Sequence, residues 1–406
     1  MIPTRRTSMW MAAVCTAGVV MTGAAGPAAA AGTSDQNAAR GRGFTQTNLV
    51  SNIPGRAAHL DPNLHNPWGI STAAGLPLWV SDNGTGLSTL YDGTGVPAPA
   101  PTPLVVTIPP AAATGPTGGG TPTGTVFNNT DPARELFAVS GGGVTAASRF
   151  LFATEDGALA GWSPTVDRTH AVIAVDRSAV TDPDGDVGAV YKGLALASTP
   201  AGQFLYATNF RFGQVEIFDS TFTLVRTFTD PALPSGYAPF GIQNINGRLL
   251  VTFAKQDADK HDDVAGPGNG FVDVFSTSGA LLQRLDSRGP LNSPWAVTQA
   301  PATMPGIGGD ILVGNFGDGR INAYALRDNN NSANDNNSSG VDNSSRNQGR
   351  FIGALRDTHG KPISIPGLWD LKFPTGSLNV PANTLYFTAG INGEADGLLG
   401  TLTSTQ

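Results

Sequence analysis

Short apolar runs broken by Gly and Pro recur along this chain, and six groups of them repeat one three-part pattern. Each unit opens on a Pro-x-Gly step or a close variant that leads into an apolar segment. These openings are Pro67-Trp68-Gly69, Pro122-Thr123-Gly124, Tyr191-Lys192-Gly193, Pro239-Phe240-Gly241, Pro294-Trp295-Ala296 and Leu368-Trp369-Asp370. A second apolar run ends on a polar or small residue: Leu78 to Asp82, Leu151 to Glu155, Leu205 to Asn209, Leu250 to Ala254, Ile311 to Asn315 and Leu385 to Ala389. A third carries a large apolar residue near its end, at Tyr91, Trp162, Phe218, Phe275, Tyr324 and Leu402. Short strands repeating in units of roughly 48 to 74 residues predict an all-β, six-bladed β-propeller.

The ends of the pattern are uneven. A strand is predicted at Phe44 to Val50, before the first unit, while the last unit, Gly367 to Thr403, shows three strands and no fourth. A closed ring leaves no sheet edge unpaired, so the N-terminal strand is expected to complete the last blade. Two stretches break the period. Pro97 to Gly120 surrounds a short strand at Leu104 to Ile108, and Asn329 to Asn347 is rich in Asn, Ser and Asp, a composition that cannot bury a core. Both read as exposed loops.

Residues 1–31 read as an export signal: Arg5 and Arg6, an apolar core from Met9 to Gly23, and the small residues Ala28 to Ala31. Residues 32–43 read as a flexible linker and 44–406 as the propeller. The expectation is a secreted, extracellular chain, monomeric, with no membrane span once the signal is removed. The single cysteine, Cys15, lies in that leader, so the mature chain would have no disulfide and no Cys-ligated metal. A net charge of −7 with no Lys/Arg cluster argues against nucleic acid as a partner.

Meander topology puts Asp82, Glu155, Asn209, Lys255, Asn315 and Glu394 on one rim of the ring, with Asn66, Trp68, Asn292, Trp295 and Trp369. Glu155, Asn209, Asn315 and Asp82 offer the oxygen ligands that Ca²⁺ prefers, with Glu155 the leading candidate, although Asn and Asp also cap their own turns. Trp68, Lys255, Trp295, Trp369 and Glu394 form a candidate ligand-binding face, the alternative for each Trp being a wedge between blades. Asp182-Pro183-Asp184-Gly185-Asp186 lacks the Glu of a calcium loop and reads as an acidic turn. The segment Lys255 to Asp262 reads as a solvated charged loop in which Lys255 or His261 would be the acid or base. The five histidines show no zinc spacing, and no Gly-x-Ser-x-Gly elbow is present.

Three stretches carry a family resemblance. His59-Leu60-Asp61-Pro62-Asn63-Leu64 runs into Asn66-Pro67-Trp68-Gly69, and Trp79-Val80-Ser81-Asp82-Asn83-Gly84-Thr85-Gly86 leads to Ser88-Thr89-Leu90-Tyr91. Pro366-Gly367-Leu368-Trp369 is followed by Thr384 to Gly390, Glu394 and Gly397-Leu398. On these the chain resembles an uncharacterised family of secreted bacterial NHL-like β-propeller proteins, some of which end in a PEP-CTERM sorting tail. The sequence ends at Gln406 without that tail, so anchoring by that route is not implied. The resemblance implies fold and no activity. Secreted six-bladed lactonases and phosphotriesterases also look similar, which implies a calcium at the channel mouth that would polarise a carbonyl or phosphoryl oxygen. Two main readings follow. One is a binding or scaffold module for a small molecule or an extracellular glycan or protein. The other is a calcium-dependent hydrolase of lactonase or esterase type. A lyase or oxidoreductase on the same face is a third.

Overall fold

The computed structural model describes residues 43–115, 119–326 and 349–405. The export signal, all of the linker but Gly43, and the insertion at Asn329 to Asn347 lie outside the described residues. Six blades are arranged as a β-propeller, five of four antiparallel strands and a sixth of four that carries a short fifth strand on its outer edge. Blade 1 comprises β3 (Pro67–Ser71), β4 (Leu78–Asp82), β5 (Leu87–Tyr91) and β6 (Val105–Thr107). Blade 2 comprises β7 (Pro122–Phe127), β10 (Phe150–Thr154), β11 (Ala158–Trp162) and β12 (Val172–Asp176). A hairpin, β8 (Ala138–Gly141) and β9 (Val144–Ala147), is inserted after its first strand. Blade 3 runs through β13 (Tyr191–Thr199), β14 (Gly202–Asn209), β15 (Gln214–Asp219) and β16 (Leu224–Phe228). Blade 4 runs through β17 (Tyr237–Ile245), β18 (Arg248–Lys255), β19 (Phe271–Ser276) and β20 (Leu281–Ser287). Blade 5 holds β21 (Pro294–Gln299), β22 (Ile311–Asn315), β23 (Ile321–Ala325) and β24 (Arg350–Ala354).

Blade 6 closes the ring. Its chain-terminal strands β25 (Leu368–Lys372), β26 (Thr384–Ile391) and β27 (Asp396–Ser404) gain a fourth, β1 (Phe44–Ser51). β1 lies antiparallel to β27 from Phe44 opposite Ser404 to Ser51 opposite Leu398, and the short β2 (His59–Leu60) runs parallel beside it. The N-terminal strand therefore clasps the last blade, as closure requires. One expectation is corrected: Pro97 to Gly120 is not merely a loop. Its β6 is the outer strand of blade 1, and Val106 and Ile108 are fully buried. Alternation over three residues, flanked by prolines, was too short a signal to separate a strand from a loop.

The opening Pro-x-Gly step has a steric basis. The first strands of neighbouring blades pack side by side around the axis, with β25 against β3 closing the circle. At Gly241 an added Cβ would lie 1.9 Å from the Trp295 carbonyl oxygen, and at Gly124 it would lie 2.4 Å from the Leu194 nitrogen. Glycine is what lets backbone meet backbone there. Second-strand threonines fasten this contact. Thr208 Oγ1 accepts from Gly193 N at 2.6 Å and donates across to the Phe240 carbonyl at 2.8 Å. Thr388 makes the same donation to the Trp68 carbonyl across the closure. Tyr91, Trp162, Phe218, Phe275, Tyr324 and Leu402, the marks of the third run, are all buried.

Candidate functional site

Three of the repeated openings place Trp68, Trp295 and Trp369 at the upper end of the axis, the end where the innermost strands begin. Trp68 stacks on Trp369 with centroids 3.4 Å apart, and Trp295 stands edge-on at 5.8 and 5.9 Å from the two. Phe316 stacks on the Trp369 ring at 4.0 Å. All three Trp side chains are buried, so they form an aromatic plug and floor and present no open stacking surface. Their polar edges are partly committed: Trp369 Nε1 donates to Asn66 Oδ1 at 2.9 Å, and Trp295 Nε1 to the Lys192 carbonyl at 3.2 Å. Gly390 makes the first of these bonds possible, because a Cβ there would come within 2.1 Å of Asn66 Oδ1.

Above the floor stands Lys192, which takes in blade 3 the position that Trp68, Trp295 and Trp369 take in theirs. The residue is only 1% exposed. Its ammonium pairs with Glu155 Oε1 and lies 3.3 Å from Asp262 Oδ1. It also faces the rings of Trp68 and Phe210 at 5.2 and 5.8 Å, close enough for cation–π attraction. Burial works against its charge, but Glu155 and Asp262 outweigh that and raise its pKa. Lys192 thus stays an ammonium in a dry setting.

Glu155 follows β10 and turns to the axis. One oxygen takes Lys192, and the other accepts from Asn83 Nδ2 at 2.7 Å. Glu394, on an exposed turn of blade 6 with φ +69°, directs its carboxyl inward to accept from Asn66 Nδ2 at 2.9 Å. The residue as a whole is exposed, but its carboxyl sits down among the mouth groups, and desolvation there, with the Glu155 charge next, pushes its pKa up to about 7. Burial also raises Asp263 to about 6. Asp262 is opposite in sense. Burial pushes it up, but the bond from His261 at 2.9 Å and the charge of Lys192 hold it below the ordinary carboxylate range. A left-handed backbone at a Glu is strained, and such strain concentrates at sites that bind or switch.

The other oxygen-bearing residues lie elsewhere. Asp82 is fully buried within blade 1, where Oδ2 accepts from Thr89 at 2.8 Å and burial raises its pKa strongly. Asn209 is fully buried in blade 3, donating to Glu216 at 3.0 Å and accepting from Phe212 N. Asn315 is held in blade 5 by the Pro290 carbonyl at 2.8 Å and Asp318 at 3.1 Å. None of the three joins Glu155. The ladder explains this: Asp82, Asn209 and Asn315 pair with Pro67, Tyr191 and Pro294, and in blade 2 the residue so paired, with Pro122, is Thr154. Glu155 lies one residue further, at the position of Asn83, Phe210 and Phe316, and side chains one step apart point oppositely on a strand. Lys255 ends β18 on an exposed edge of the same rim. The acidic turn at Asp182 closes on itself, its Oδ1 accepting from Asp184 N and Asp186 N.

Lys192, Asn83 and Asp263 are the mouth residues that the pattern alone did not single out. For Lys192 a signal exists, since a charged residue occupies a position that is aromatic in four sister units, Trp68, Phe240, Trp295 and Trp369. Glu155, His261 and Asp262 each bring a ligand atom within 4.8 Å of the others, the one such acidic or histidine cluster among the described residues. Among those residues no helix is long and apolar enough to cross a membrane.

Comparison with known proteins gives sequence relatives that are uncharacterised. No family profile matches the chain. Among solved structures, a streptogramin B lyase is similar at 14% identity and TM-score 0.47, over 90% of this chain and 98% of that one. A virginiamycin B lyase from Staphylococcus aureus is similar at 11% identity and TM-score 0.45, over 89% and 99%. In sequence, one uncharacterised protein of Acanthamoeba polyphaga mimivirus is 31% identical over 365 residues, which is 88% of this chain and 80% of its own length. A second from the same virus is 31% identical over 366 residues, 88% of this chain and 85% of its own length. These relatives are viral where the resemblance read from the sequence pointed to bacteria, and the chain belongs to the family of uncharacterised proteins that they represent.

Proposed function

We propose that this propeller is an extracellular binding module whose upper channel mouth takes a small cationic ligand. The observation that carries this is the charge balance there. Glu155, Asp262, Asp263 and Glu394, from three blades, surround the single buried ammonium of Lys192. Once all four carboxyls are ionised, a surplus of negative charge faces solvent above an aromatic floor. A low-dielectric wall strengthens the attraction of such a mouth for a cation. The calcium-dependent hydrolase is the second reading, supported by the Glu155, His261 and Asp262 cluster. Against it, Lys192 already bonds to both carboxylates where the ion would sit, so calcium must displace an ammonium.

The test is calorimetric titration of the folded chain with cadaverine and, separately, with CaCl₂ at pH 8. Saturable cadaverine binding that weakens at least fivefold in Glu394→Gln is expected. If neither cation binds saturably, the mouth is structural. Calcium binding lost in Glu155→Gln, together with a calcium-dependent esterase activity, would establish the hydrolase instead.

A further inference from the structure

We infer that the opposite end of the channel is a second binding site, for a small hydroxylated carboxylate. The aromatic plug makes the channel a dead end from below. A gap of about 20 Å³ beside Gly69, Gly124, Trp295 and Asp370 separates the plug from a cup of about 430 Å³ lined by the far ends of the innermost strands of all six blades. That volume is in the range of small-molecule sites. The cup is no apolar void. Ser71 and Thr298 bring hydroxyls and Gln243 an amide, Phe127 and Phe373 add apolar rings, and Lys372 is the one cation among its lining residues.

The arrangement around Lys372 sets the ligand class. Its ammonium donates to Gln243 Oε1 at 3.0 Å, a bond that aims it across the axis. The neighbouring carboxylate, Asp370, is only a distant partner at 4.0 Å. It is committed instead to the backbone, accepting from Ile70 N at 2.8 Å and from Leu371 N at 2.7 Å. Lys372 therefore keeps donor capacity for an anion. A carboxylate would take that ammonium, hydroxyls would pair with the Ser71, Thr298 and Gln243 groups, and the hydrocarbon face would lie on Phe127 or Phe373. A buried or half-buried polar lining discriminates strongly, because a ligand lacking the matching groups leaves it unpaired.

The experiment is titration of the full chain with D-glucuronate, with D-glucose in parallel, read by calorimetry or ligand-observed NMR. Glucuronate is expected to bind at least tenfold more tightly than glucose. Lys372→Met should lose at least tenfold in glucuronate affinity, Lys372→Arg should keep most of it, and Thr298→Val should weaken it about fivefold with the melting temperature unchanged. If Lys372→Met does not fold, the Arg and Val variants still decide. Absence of glucuronate binding, equal affinity for glucose, or full affinity in both Lys372→Met and Thr298→Val overturns the proposal.

Discussion

At the scale of single residues, Lys192 organises the mouth through the energetics of a buried ion pair. Taking one partner from such a pair leaves the other charge desolvated, at a cost of about 3 kcal/mol or somewhat more. Lys192→Met should therefore lower the urea-unfolding free energy by about 3 kcal/mol, because Glu155 is left almost buried with one bond, from Asn83. The double variant with Glu155→Gln should recover most of that loss, since it removes the orphaned charge as well. A loss no larger than about 0.5 kcal/mol in the single variant would mean that water reaches the pair freely. Glu394 gives a second residue-scale prediction, this one in pH. Its carboxyl ionises near pH 7 in the folded chain, against an ordinary value of 4.5. Cadaverine affinity should therefore rise between pH 6 and 8, as the mouth gains that negative charge, and in Glu394→Gln the rise should shrink to the part that Asp263, raised to about 6, contributes near the low end. For stability the sign is reversed. A raised carboxyl pKa means that the folded state holds the proton longer, so this group's contribution declines as pH climbs from about 4.5 through 7. An affinity profile flat across this range would show that Glu394 does not face the ligand.

At the scale of elements, the innermost strands are limited by how close two backbones can come. Gly241→Ala would put a methyl against the Trp295 carbonyl. Strand separation of this kind should cost about 2 kcal/mol, read as a shift in the denaturation midpoint with an unchanged slope. Gly55→Ala, at an open turn with φ +76° where a Cβ meets nothing, should cost less than that. Equal effects at the two positions would show that the backbone contact at Gly241 costs no more than the left-handed strain at Gly55. The same elements show what the sequence made legible. The Pro-x-Gly openings and the large residues near the third-strand ends carried the blade count and order, because each is tied to a steric need repeated in every blade. The candidate site was only half legible. The repeat spacing puts Glu155 and Glu394 on one rim, and the structure brings both near Lys192, yet that spacing aligns Glu155 with Asn209 where the ladder aligns Thr154. A one-residue slip moves a side chain from the axis into the blade, and turn residues of varying length hide it. The register shifts between Pro67 and Ile70, and at the matching step of the other blades, add to this, since a bulge re-aims the residues that follow.

At the scale of the whole molecule, stability rests on closing the ring, for among the described residues there is no cysteine to cross-link it. The clasp is the joint most exposed to failure, because β1 alone supplies the outer strand of blade 6, along β27, while the inner contacts of β25 and β26 with β3 also span the closure. That pairing buries Phe44, Leu49 and Val50, and the Ser51 hydroxyl donates to the Gly397 carbonyl at 2.7 Å. Asn52 adds a bond to Asp396 at 2.7 Å and accepts from Gly397 N at 2.9 Å. A chain that begins at Asn52 would keep these last contacts but leave β27 as a bare edge of nine residues, the kind of edge that recruits other chains. Its melting temperature should fall by at least about 5 °C, with concentration-dependent aggregation on heating. A synthetic peptide spanning Gly43 to Ser51, added in excess, should raise the melting temperature again as it refills the edge, the gain growing with peptide concentration as mass action requires. A truncated chain that melts where the full chain does, and ignores the peptide, would mean that blade 6 holds with three strands and that closure of the ring does not depend on the clasp.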